Sequence, residues 1–145
     1  MNDIREILFR AKRLDNGEWV EGYVFDDGFI DSTRRFIGNI IISDYKGNAD
    51  DKWEILGTDF YEIIPETICQ FTGRYDVNKK RIWENDIVKN IIDGDIYKCA
   101  WNSYNCEYEL RNEKESFGLG YINPHSYEVV GNAIDNPELL KGGSE

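Results

Sequence analysis

The sequence has little of what most enzymes need. Its 145 residues include one histidine, His125, and three cysteines, Cys69, Cys99 and Cys106. Only one imidazole is therefore present to activate a nucleophile. A Ser–His–Asp arrangement would need His125, and no nucleophile elbow accompanies it. The cysteines form no CxxC pair, and with His125 they match no zinc-finger spacing. An odd count reads as reduced thiols packed as small hydrophobes, although a Cys99–Cys106 bridge across a hairpin stays open. The glycines build neither GxxxxGK[ST] nor GxGxxG after a strand, so no known phosphate loop is present. No long apolar run exists either: the longest is Ile40-Ile41-Ile42, far short of a membrane span. Charges of both signs precede any apolar stretch, which excludes a secretory signal and leaves the cytoplasm as the expected compartment.

Positive charge is also scarce. The net charge is −11, and neither half of the chain is basic: residues 1–72 carry 8 Lys+Arg against 15 Asp+Glu, residues 73–145 carry 9 against 13. Affinity for duplex nucleic acid rests on neutralising phosphates, so this balance argues against that partner. The basic clusters at Arg10–Arg13 and Lys79–Arg81 read as solvated turns.

What is present is β chemistry. Aromatic residues make up 14% of the chain. Residues 4–11 predict a strand, and Asp15-Asn16-Gly17 predicts a hairpin turn because Asn and Gly accept positive φ. Residues 18–25 form the returning strand. Short strands are expected at Phe36–Ser43, Trp53–Leu56 and Phe60–Ile64, with a polar loop at 44–51 and a stop at Pro65. Further strands are expected at 67–72, 81–83, 87–92, 96–101, 106–111 and 127–132, with a charged loop at 112–116. Regular short strands joined by turns are the pattern of a small barrel. Helix signals are confined to Asn136-Pro137-Glu138, enough for one turn.

The expected fold is therefore mainly β: an N-terminal β region over 1–65, a small barrel region over 66–140 and a flexible tail at 141–145. The two regions could also form one intertwined unit.

Among the many acids, Glu84 and Asp86 are the candidate metal or acid/base pair, since residues two apart on a continuous strand share a face. The competing reading is a turn, where Asp and Asn bond their own backbone. Trp83, Tyr97, Trp101 and Tyr108 could stack bases, but core packing explains them more simply. No catalytic residue and no cofactor is assigned.

Five blocks carry a resemblance: residues 5–11, 17–23, 65–73, 82–88 and 127–140. In this order they resemble the YopX family of phage and prophage proteins. The family pattern has Asn-Gly where this chain has Asn78-Lys79, which predicts a longer loop there. It has Glu-Gly-Asp where this chain has Glu84-Asn85-Asp86. The resemblance implies a phage or prophage source and an SH3-like C-terminal part, and it carries over no catalytic residue.

The function expected is a non-enzymatic accessory protein that binds a host or phage protein or assembles as a homo-oligomer. A carboxylate-based metal-dependent enzyme at Glu84 and Asp86 is the alternative, as is a single-strand binder or nucleic-acid mimic.

Overall fold

The computed structural model describes residues 6–42 and 55–141, with side chains described except at 39–42 and 55–59. The expected loop at 44–51, the starts of the strands expected at 4–11 and Trp53–Leu56, Ser43 and the last four residues of the tail lie outside the described residues. The chain is mainly β and divides into two compact units, one of residues 8–68 and one of Glu6, Ile7 and residues 69–141.

The first unit is an antiparallel meander of β1 (Phe9–Lys12), β2 (Trp19–Asp26), β3 (Arg35–Ile42) and β4 (Ile55–Ile63). The hairpin between β1 and β2 forms as expected. Gly17 takes φ +73°, and its N–H donates to the Arg13 carbonyl at 2.9 Å. The Asn16 side chain accepts from the Glu18 N–H at 2.9 Å. The sheet then curls until its first and last strands meet. Arg13 and Ile63 form a bridge, Leu14 N–H donates to the Glu62 carbonyl and Ile64 N–H to the Lys12 carbonyl, both at 2.9 Å. A 3-10 turn at Pro65–Thr67 follows at this end. The Thr67 hydroxyl accepts from Lys12 N–H at 2.8 Å and donates to the Ile64 carbonyl at 2.6 Å. Alternation sends Ala11, Ile37 and Ile63 inward, where Phe9, Val20, Val24 and Ile68 pack against them.

In the second unit, β5 (Cys69–Tyr75) and β6 (Arg81–Trp83) form a hairpin. They lead into β7 (Asp86–Asn90), β8 (Ile96–Asn102), β9 (Glu107–Arg111) and β10 (Ser116–Gly118). Two 3-10 turns follow, at Leu119–Tyr121 and Pro124–Ser126. β11 (Tyr127–Asn132) then returns beside β7, and α1 (Glu138–Lys141) is a single turn. The strand order β10-β9-β8-β7-β11 is a four-strand meander whose fifth strand comes back to the first after a 3-10 turn. That connectivity is SH3-like. Its core gathers Ile82, Val88, Tyr97, Cys99, Leu110, Leu119, Ile122 and Tyr127. Burying each large apolar side chain of this kind contributes about 1.5–3 kcal/mol.

Several local expectations change. Glu6, Ile7 and Leu8, expected in the first strand, precede it, and β1 begins at Phe9. Residues 55–63 are one uninterrupted strand rather than two. Thr67 and Ile68 precede β5 instead of opening it, because Pro65 starts a 3-10 turn. Ser116, placed in the charged loop, begins β10. No bridge joins Cys99 and Cys106: both are free, one buried inside the sheet and one exposed at a turn.

Lys79 does not lengthen its loop. It adopts φ +62° and closes a tight turn, donating from its N–H to the Asp76 carbonyl at 3.0 Å. The turn is held by Asp76, whose Oδ1 accepts from the Asn78 and Lys80 N–H groups at 2.8 Å each.

Candidate functional site

Glu84 and Asn85 form the turn between β6 and β7, so Glu84 and Asp86 do not lie along one continuous strand. Asn85 takes φ +73°, the conformation that Asn tolerates better than most side chains. Its N–H donates to the Cys99 carbonyl at 2.8 Å and its carbonyl accepts from Ala133 N–H at 2.7 Å. Asp86 points into the fold, 1% exposed, and accepts the Trp83 N–H at 2.7 Å. The Glu84 carboxylate receives the Gln70 N–H at 3.4 Å. Both carboxylates are thus engaged by backbone amides. Burial first, then the charges of Asp86 and Glu84, push the Cys99 thiol well above its ordinary pKa. A thiol held in its neutral form is a poor nucleophile.

His125 is exposed in its 3-10 turn, its backbone N–H bonded to the Asn123 side chain at 3.1 Å. Among the described residues, no group of three or more His, Cys, Asp or Glu is placed to hold a metal ion. No described helix is long and apolar enough to cross a membrane.

Of the aromatics weighed as a stacking platform, Trp83 and Tyr97 are core residues, 4% and 2% exposed. Burial, and then the hydrogen bond to Glu115 at 2.7 Å, raise the Tyr97 hydroxyl pKa. Trp101 departs from the core reading. It is 45% exposed and meets Tyr108 edge-on at 4.9 Å.

The larger exposed aromatic surface lies on the first unit. Register places Phe25 opposite Phe36, and Gly38 opposite both Tyr23 and Phe60, on the outer face of β2, β3 and β4. Phe25 and Phe36 stack at 5.7 Å, and Phe60 meets them edge-on at 5.7 and 6.0 Å. Tyr23, Phe25 and Phe60 remain 58%, 39% and 50% exposed. Three exposed aromatic rings on one face of a sheet are uncommon on a monomer surface. Beside them Arg34 lies over the Phe36 ring at 5.2 Å and grips Glu62 with two hydrogen bonds of 2.8 and 3.1 Å. The Arg34 hydrogen bond holds the Glu62 carboxyl below its usual pKa.

This face was missed in the sequence, although β2 signals it. A half-buried strand should alternate apolar with polar. Here Val20 and Val24 face the core while Tyr23 and Phe25 on the other parity are apolar as well.

The curled sheet of the first unit also opens into a cleft of about 520 Å³ where β3 begins and β4 ends. Leu14, Ile63, Pro65 and Ile68 give it an apolar wall, and Thr33, Arg34, Arg35, Glu62 and Glu66 supply its polar groups.

The sequence pattern of the YopX protein family matches residues 8–141. Among solved structures, the chain is similar to that of protein EF1440 from Enterococcus faecalis, with a TM-score of 0.62. That likeness covers 93% of this chain and 98% of the other at 23% identity, so it is a likeness of fold. No curated protein matches the chain. A family pattern that runs through both units, over residues 8–141, places the chain: it belongs to the YopX family.

Proposed function

We propose that this protein works by binding, as a self-assembling accessory protein of a phage or prophage acting in the bacterial cytoplasm, and not by catalysis. The observation that carries the reading is the Phe25–Phe36–Phe60 cluster, in which Phe25 and Phe60 are exposed, with exposed Tyr23 at its side. Covering such a face removes apolar area from water at about 25 cal/mol per Å², the main driving force for protein association. The Arg34–Glu62 pair at its margin supplies both signs of charge. In a two-fold contact each sign can meet its opposite on the other copy.

Sedimentation velocity over a concentration series tests this. Wild type is expected to associate. Phe25→Ser with Phe60→Ser is expected to leave a folded monomer with unchanged far-UV circular dichroism. Arg34→Glu and Glu62→Arg should each weaken association, and mixing the two single variants should restore it, since each then offers the charge the other lacks. A wild-type monomer at all concentrations, with no macromolecular partner retained by the tagged protein from prophage-bearing cells, would overturn the reading.

A further inference from the structure

The cleft at the open end of the first unit holds a cation of unusual placement. Arg35 opens β3, two residues before Ile37, so alternation directs it to the inner face. Ile37 on that face is completely buried. An inward-facing charge at the mouth of a small barrel is costly unless it is paired. Arg35 is held instead by two neutral carbonyls: its Nη1 donates to Arg34 O at 2.8 Å and to Ser32 O at 3.3 Å. These bonds fix the guanidinium, and among the described residues its Nε and Nη2 edge is uncommitted. No carboxylate among the described residues pairs with it. Its neighbour Arg34 does have such a partner, Glu62, which uses that charge up. The fork of Nε and Nη2 is the geometry that receives a carboxylate through two parallel bonds.

We infer that this cleft is a binding site for a carboxylate carried on an apolar body, the oxygens meeting Arg35 and the body lying against Leu14, Ile63, Pro65 and Ile68. A volume of about 520 Å³ is of the order of small-ligand sites, and barrel mouths are among their usual places. Glu66 lines the same cleft, exposed and in no ion pair among the described residues, and sets the limit on the ligand. A second anionic group on the ligand would face it, so a monocarboxylate is selected over a dicarboxylate. Free acids and the C-terminal residue of a peptide share this chemistry. The cleft shares Arg34 and Glu62 with the margin of the aromatic face, but Arg35, which would receive the carboxylate, lies on the opposite face of the sheet, and binding there does not require self-assembly.

The experiment is an NMR titration of the full chain with three probes: hexanoate, N-acetyl-leucine and N-acetyl-leucine amide. Both carboxylates are expected to shift the backbone resonances of Thr33–Arg35, Glu66 and Ile68, and the amide is not. Stronger binding of N-acetyl-leucine than of hexanoate identifies a peptide C-terminus as the source, and the reverse a free acid. Arg35→Gln should weaken the carboxylates by roughly tenfold or more, the size of a charge-assisted hydrogen bond, with Arg35→Lys intermediate. Glu66→Gln, at an exposed position that leaves folding untouched, should tighten them several-fold. No shift at tens of millimolar, equal shifts with the amide, or equal affinity in Arg35→Gln and Glu66→Gln overturns the site.

Discussion

Asp76 shows how much of this fold hangs on single polar side chains. It is 4% exposed and sits where β5 leaves its strand. Its Oδ1 caps the turn through Asn78 and Lys80, and its Oδ2 accepts the Val129 N–H at 2.9 Å, on a strand far along the chain. One carboxylate thus ties the β5–β6 hairpin to β11. A buried backbone N–H that loses its acceptor costs about 1–3 kcal/mol, and two of the three donors here belong to exposed residues, Asn78 and Lys80. Asp76→Ala should therefore lower stability by about 2–4 kcal/mol in urea unfolding, with Asp76→Asn losing less because one oxygen survives. A loss under about 0.5 kcal/mol, the range of ordinary surface substitutions, would show that the turn and β11 hold without it. In the sequence Asp76 stands only beside the loop expected around Asn78-Lys79. Its local half was legible, since Asp bonds the backbone two residues on. Its bond to Val129 was not, because nothing local specifies an acceptor for a strand 53 residues away.

Elements repeat that division between near and far. Asp15-Asn16-Gly17 and the strand at Tyr127–Asn132 were legible because turn chemistry and period-2 alternation are local. Lys79 was misread because a non-glycine residue at φ +62° is disfavoured, and the Asp76 cap offsets that cost. The turn at Glu84-Asn85-Asp86 was legible too, as the reading that competed with a metal pair, because Asn accepts the positive φ it takes there. The inward Arg35 was invisible: only the bridge between Arg13 and Ile63 curls the sheet and makes that end a mouth. The strand pair β2–β3 depends in turn on two glycines. A Cβ on Gly22 would stand 2.8 Å from the Gly38 carbonyl oxygen and 3.0 Å from its carbon, and backbone cannot step aside as a side-chain tip can. Gly22→Ala should therefore cost about 1–3 kcal/mol, the usual penalty of overpacking, and shift the resonances of Tyr23 and Gly38. An unchanged melting temperature would mean that the two strands separate without loss.

At the scale of the whole molecule, charge and apolar surface oppose each other. Every copy carries −11, so two copies repel before their aromatic faces touch. The face itself holds one compensated pair, Arg34 with Glu62, and its attraction comes mainly from Tyr23, Phe25, Phe36 and Phe60. Salt acts on these terms unequally. The screening length falls from about 10 Å at 0.1 M to about 3 Å at 1 M, which removes the long-range repulsion and leaves apolar burial in place. An ion pair re-formed between copies would weaken over the same range, but an exposed pair contributes only about 0–1 kcal/mol. Self-association should therefore strengthen several-fold between 0.05 and 0.5 M NaCl, read as a falling dissociation constant in sedimentation equilibrium. The sign is what discriminates. Association that weakens steadily with salt would mean that opposed charges hold the contact, and the aromatic face would lose its claim to be the interface. Phe25→Ser with Phe60→Ser makes the control, since a variant that remains monomeric at high salt ties the salt effect to this surface.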